Sequence, residues 1–362
     1  MLVWGALFVL SGAVRSDEPP SRALFISVIQ KPPVLSSRKD IAALVAYAQR
    51  ADVKLLFVQV YRAGRAWFPS KIADDEPYEK YRKALAEDPV ALLIRQAHAQ
   101  GIQVHAWLNL LSLGGNTEAV FLKKYGTDVL TVNLKAKRSL EDFKIDRQYF
   151  LEPGDRRVRD DLKAMVTEIL EAYPELDGIQ FDYIRYPDVD PHYGYTKSNI
   201  ENFKKSSGLK NIDEDSLAWK DWKRAQVTGL LTELVKTVRS KRPQMQVSTT
   251  GCMPYARAYY EAYQDWGSWI TNGLVDFVTI MDYSTDPRQF ERWIRPLKEN
   301  RAVFPKMRIA VGAEKLVHEP EIFKKEFLIC EKMGTLCAVF HYGNVLESPS
   351  IHEFLTGHKK NL

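Results

Sequence analysis

Carboxylates that interrupt apolar, β-branched runs are the residues of this chain best suited to chemistry. Asp182 lies in LDGIQFDYI (176–184), Asp282 in VDFVTIMDY (275–283) and Glu314 in RIAVGAEK (308–315). A carboxylate inside such a run is costly unless it faces a polar cavity or a cation. Aromatic, amide and cationic side chains gather at the same places. Trp107 and Asn109 lie in IQVHAWLNLL (102–111), Tyr183, Arg185 and Tyr186 follow Asp182, Tyr283 follows Asp282, and His341 and Tyr342 lie in LCAVFHYG (336–343). Cleavage of a glycosidic bond passes through an oxocarbenium-like state and ordinarily uses two carboxyl groups flanking the bond. Trp and Tyr faces suit the apolar faces of sugar rings, and Asn and Arg can fix hydroxyl groups.

Each residue also has a purely structural reading. Asp177 fits the turn entering the Asp182 run. Asp182 could pair with Arg185, and Asp282 could belong to a turn with Ser284 and Asp286. Glu314 could pair with Lys315, Trp107 and Tyr283 could be packing, and His105 could be a hydrogen-bonded interior residue.

The elements that would position these groups alternate along the whole chain. Strands are expected at 23–30, 53–61, 102–111, 176–184, 245–251, 275–283, 308–315 and 336–343. Between them lie amphipathic helical stretches, for instance 37–51 opened by a Ser cap, 88–101 with Pro at its start and Gly at its end, and 157–174. Strands with near-continuous apolar runs and long helical connections predict parallel pairing under a helical cover. The expected fold is therefore α/β, a (β/α)₈ TIM barrel over residues 21–362, with catalytic groups at the C-terminal strand ends. An open doubly wound sheet would carry a Gly-rich phosphate loop after its first strand, where this chain has QKPPVLSS. Two long loops, about 112–150 and 188–215, follow strands and so belong to the C-terminal face.

The 362 residues are 45% hydrophobic and 27% charged with a net charge of +5, which describes a globular protein. No block of Lys/Arg with interleaved aromatics speaks for nucleic acid. The absence of GxSxG argues against serine-hydrolase chemistry, and no HxH, HExxH or Cys/His cluster implies a metal. No cofactor is expected. Residues 1–20 read as a signal segment and short linker: the apolar stretch Leu2–Val14 is shorter than the ~20 residues of a spanning helix, and a polar DEPPSR follows. Export to the periplasm or outside is expected, with membrane contact only through an uncleaved N-terminal segment. Cys252, Cys330 and Cys337 are too few and too scattered for a disulfide framework; Cys330 and Cys337 could pair, but each falls on a different apolar element, so buried free thiols are expected.

Several segments in order resemble the glycosyl-hydrolase-like family ten: GIQVHAWLNLL, YFLEPGDRRVRDDL, LDGIQFDYIRYP, YQDWGSWITNGLVDFVTIMDYSTDPRQF, RIAVGAEKL and GTLCAVFHYGNVL. The resemblance implies a (β/α)₈ barrel, an envelope or exported location and hydrolysis of a polysaccharide. Some members are associated with peptidoglycan glycan strands. The family's strand-four aspartate corresponds to Asp182. Many members have two adjacent acids where this chain has Asp182–Tyr183, and the positions of Glu152 and Glu314 commonly hold Asn and an aromatic residue. The leading expectation is an O-glycosidic hydrolase with Asp182 as nucleophile or general acid and Glu314 or Asp282 as its partner. Trp107, Asn109, Tyr183, Arg185, Tyr186, Tyr283, His341 and Tyr342 would line its oligosaccharide subsites. The alternatives are a non-catalytic glycan-binding barrel acting as an envelope scaffold, and a hydrolase of amide or ester bonds.

Overall fold

The computed structural model describes residues 22–134 and 139–357; the expected signal segment lies outside them. Eight parallel strands form a closed barrel: β1 (Arg22–Ile26), β2 (Leu55–Arg62), β3 (Gln103–Asn109), β4 (Gly178–Asp182), β5 (Gln246–Cys252), β6 (Phe277–Asp282), β7 (Met307–Gly312) and β8 (Leu336–Phe340). Neighbours in sequence are neighbours in space, and β1 closes the ring by pairing with both β8 and β2. Covering helices include α1 (Arg38–Arg50), α2 (Pro89–His98), α3 (Arg156–Ala172), α4 (Leu217–Lys241), α5 (Pro287–Glu299) and α6 (Pro320–Met333). Their starts follow from local chemistry. Ser37, Asp88, Asp155, Ser216 and Asp286 cap the first five through side-chain oxygens that accept first-turn N–H groups.

Two cores follow from the two faces of the strands. Inside the barrel, Phe25, Phe57, Trp107 and Phe277 pack with Ala23, Ala310 and Ala338, the small residues leaving room for the rings. The outward-facing residues, such as Val278, Ile280 and Val311, join the larger core under the helices. A polar layer crosses the interior, where Gln180 Oε1 accepts from Ser248 Oγ (2.9 Å) and Thr279 Oγ1 (3.1 Å). Close approach dictates Gly178: a Cβ there would sit 2.4 Å from His105 Cε1. Asp177 serves the opposite, N-terminal end, its Oδ2 accepting from Val104 N (2.9 Å) and lying 2.8 Å from His98 Nε2.

The two long loops fold against each other beside β4. Ser112–Gly114 pairs with Tyr149–Phe150, and the second loop carries a helix, Lys197–Ser207. The N–H groups of Gly194 and Tyr195 both donate to Val132 O.

The cysteine expectation is corrected. Cys330 on α6 and Cys337 on β8 form a disulfide, their Cα atoms 6.0 Å apart. Assigning them to separate apolar elements overlooked that a helix and the strand it precedes pack against each other. Cys252 is free and buried.

Candidate active site at the end of the fourth strand

Asp182 ends β4 on the inner face, in register with Asn109 of β3. Its carboxylate is nearly buried and takes three hydrogen bonds. Oδ2 accepts from Trp107 Nε1 at 2.9 Å, while Oδ1 accepts from Thr250 Oγ1 at 2.5 Å and from Tyr183 N at 2.7 Å. All three groups donate, so the site is built around the carboxylate as an acceptor. The Tyr183 contact is made by a backbone in the left-handed region, φ 56°. That conformation costs a bulky residue ~1–3 kcal/mol. Arg185 Nη1 stands 3.8 Å from Asp182 Oδ1, its guanidinium lies over the Tyr183 ring (4.3 Å), and its Nε and Nη1 have no hydrogen-bond partner.

Around this centre lie several of the expected residues. Trp107 is 1% exposed and packs on Phe25 and Phe340, so it holds the carboxylate from below instead of offering a face to a sugar. Asn109 Oδ1 accepts from Gln59 Nε2 (3.0 Å), and Gln59 Oε1 accepts from Ser27 Oγ (3.1 Å), a polar chain across the mouth of β1–β3. Tyr283 and His341 are part-exposed on the rim. Tyr283 packs on Phe340 and crosses Gly312 so closely that a Cβ there would lie 2.9 Å from its ring. His341 Nδ1 accepts from Gly343 N (3.1 Å), and burial lowers its pKa to about 4, which keeps the ring neutral. Glu314 is exposed in a short 3₁₀ turn after β7, on the side of Tyr283 where its charge reaches the phenol.

Three expected residues lie elsewhere. Asp282 pairs in register with Val311, whose side chain belongs to the outer core, so it faces the helices and not the barrel mouth. It is fully buried with neither oxygen in a normal hydrogen bond, although the Ser284 N–H offsets part of the cost. Burial raises its pKa to about 8, and burial together with the charges of Asp282 and Asp286 does the same for Glu326 on α6. Tyr342 turns outward onto Tyr47 of α1, because β8 ends at Phe340 and a helix starts at once. Tyr186 is 1% exposed, donating a short hydrogen bond to Glu152 beneath the loops. Burial raises the Glu152 carboxyl to about 7 and lowers the nearby Lys223 ammonium to about 7. Lys223 donates to Pro191 O and Tyr263 OH, both at 2.7 Å, which pins the second loop.

The sequence reading missed Thr250, Gln59 and Asp188. Thr250 and Gln59 are uncharged polar residues within apolar strands, a signal that marks a polar position but not the face on which it points. Asp188 follows Asp182 by six residues and binds Arg257 at 2.7 Å. Among the described residues no group of three or more His, Cys, Asp or Glu side chains is placed to share a metal ion.

Comparison with known proteins agrees with this placement of the barrel. Residues 22–314 match the family described as Glycosyl hydrolase-like 10. The glycosyl hydrolase DigH of Escherichia coli K12 is 25% identical over 305 residues, covering 78% of this chain and 66% of that protein. YngK, a glycosyl hydrolase of Bacillus subtilis, is 22% identical over 273 residues, covering 69% and 50%. The chain thus spans just under two thirds of the E. coli relative and half of the B. subtilis one. Among solved structures, the catalytic domain of β-amylase from Paenibacillus polymyxa superposes with a TM-score of 0.59 at 11% identity, over 92% of this chain and 96% of that one. A β-galactosidase from Marinomonas ef1 gives 0.58 at 10% identity, over 89% and 53%. At such identities these structures establish the barrel alone. With four fifths of its length matched in one continuous stretch, this chain belongs to the glycosyl hydrolase-like 10 family.

Proposed function

We propose that this protein is a glycoside hydrolase that cleaves O-glycosidic bonds of an envelope or extracellular polysaccharide, peptide-free peptidoglycan strands among the candidates. The observation that carries this reading is the carboxylate of Asp182, held by three donors at the barrel mouth. Such an acceptor suits a nucleophile attacking the anomeric carbon. Glu314, on the other side of Tyr283, is the group we assign to protonate the leaving oxygen and then activate water. A retaining reaction needs the two carboxyl groups about 5–5.5 Å apart in the complex, an inverting one about 6.5–9.5 Å. Tyr183, Tyr283, Arg185 and His341 would bound the subsite. Relatives named glycosyl hydrolases support the class. The Cys330–Cys337 disulfide supports an exported location, since such bonds persist in oxidising compartments.

A second reading is favoured by Asp282 turning away from the mouth, which leaves Asp182 without its strand-six partner: a glycan-binding scaffold with no turnover. One experiment separates the two. Reducing-end release from a glycan panel, peptide-free peptidoglycan included, is measured for wild type, Asp182→Asn and Glu314→Gln. Turnover that falls at least ~10³-fold in Asp182→Asn supports the hydrolase. Binding without turnover by wild type and Asp182→Asn alike supports the scaffold.

A further inference from the structure

On the barrel rim that carries Asp182 lies a cleft of about 400 Å³ built from the ends of the first three strands. Ile29 follows β1, Arg62, Arg65 and Trp67 follow or end β2, and Asn116 belongs to the loop after β3. The cleft shares the C-terminal rim with the site already described, since Tyr61, next to Arg62, is in register with Leu108 of β3 and Asn109 of β3 with Asp182, and the charge of Arg62 reaches Tyr183 and His341.

Its charge is one-sided. Two guanidinium groups line it and no carboxylate does. Arg65 has a loose partner outside, Asp74 at 3.7 Å, with both side chains well exposed. Arg62, half-buried at the end of β2, makes no ion pair among the described residues. A cation in a concave wall without a counter-charge is a place where an anion gains more than on open surface, because low-dielectric walls weaken screening. The guanidinium fork matches a planar carboxylate with two parallel N–H···O bonds. Ile29, 59% exposed, gives the same wall an apolar patch for a ring face.

We propose that this cleft is a subsite for an acidic sugar, in which Arg62, backed by Arg65, holds the carboxylate of a glycan unit neighbouring the bond cut at Asp182. Its position relative to the bond rests on the glycosidase reading; its preference for a carboxylate does not. A neutral glycan would leave Arg62 unpaired in the complex, so the residue selects by substituent.

The test uses the full chain carrying Asp182→Asn, so that binding is measured without cleavage. Oligosaccharides from peptide-free peptidoglycan and from polygalacturonate are titrated calorimetrically, each against the same material with its carboxylates reduced to alcohols. The acidic member of at least one pair should bind ~10-fold or more tightly than its reduced partner, as for a charge-assisted pair. That preference should shrink in 0.5 M salt and disappear when Arg62→Gln and Arg65→Gln are added, with the reduced form binding equally to both proteins. Equal affinity within every pair, a preference that survives the double substitution, or no binding to any of them overturns the proposal. Acid preference in binding with no turnover by the wild-type chain would sink the glycosidase reading and leave the subsite standing. Turnover without acid preference would do the reverse.

Discussion

Replacing Asp282 with Asn should make this protein more stable at neutral and alkaline pH while leaving its chemistry intact. The Asp282 carboxyl is fully buried on the outer face of β6 and keeps its proton until pH about 8, against an ordinary 3.8. The folded state therefore binds a proton that the unfolded chain releases near pH 4. Stability contributed by this group is complete below about pH 4 and is lost as pH rises toward 8. Between pH 5 and 8 one such group would remove at most ~4 kcal/mol at 1.36 kcal/mol per pH unit, and ~2 kcal/mol once water entry and relaxation are allowed for. Glu326, also raised to about 8, adds a slope of the same sign. Urea unfolding at pH 5, 6, 7 and 8 should show wild type weakening with pH, Asp282→Asn and Glu326→Gln each weakening less, and the double variant least, keeping the slope below pH 7 that Glu152, raised to about 7, contributes. Parallel curves for wild type and variants would refute the argument. Reducing-end release provides the second readout. A thousandfold loss in Asp282→Asn would return this residue to the mechanism and contradict its outward placement.

Trp107→Phe removes the 2.9 Å donor to Asp182 but keeps most of the packing with Phe25 and Phe340. A hydrogen bond to a charged group is worth ~1.5–3 kcal/mol, so turnover should fall about 10- to 150-fold with an unchanged circular dichroism spectrum. A loss under twofold would remove Trp107 from the site. Gly178→Ala should cost ~1–3 kcal/mol in denaturant unfolding through its clash with the His105 ring. Most of that cost should vanish when His105→Ala is added, and failure of the rescue would contradict the contact. Tyr186→Phe strips the donor from buried Glu152 and should lower stability by ~1–3 kcal/mol. Because Tyr186 faces away from the mouth, KM should hold in Tyr186→Phe; a tenfold rise would place it back in a subsite.

The barrel was legible because all eight strands are apolar runs separated by capped amphipathic segments, and a carboxylate in such a run stands out. The face on which a polar strand residue points was not legible in the same way. In a strand buried on both sides, inward and outward positions are equally apolar, so the alternation that marks an exposed sheet is lost. Asp182 and Asp282 look alike for that reason, yet one sits with Gln180 on the inner face and the other with Val278 and Ile280 on the outer. Tyr342 illustrates a boundary effect, since a strand that ends three residues before the expected 343 sends the side chain into the helical layer. The disulfide needed the packing of α6 on β8, a tertiary fact that spacing alone did not carry.

The aromatic floor inside the barrel makes the alignment of Asp182 a property of the whole interior. Trp107 is at once part of that floor and a donor to the carboxylate. Enlarging Ala23, Ala310 or Ala338, or trimming Phe25 or Phe57, would tilt the indole and with it the acceptor it holds. Natural variation or random mutagenesis should therefore yield inactive yet folded proteins whose lesions lie deep in the barrel, far from any atom a glycan could touch. In this fold a map of lost activity would trace the inner packing as well as the rim.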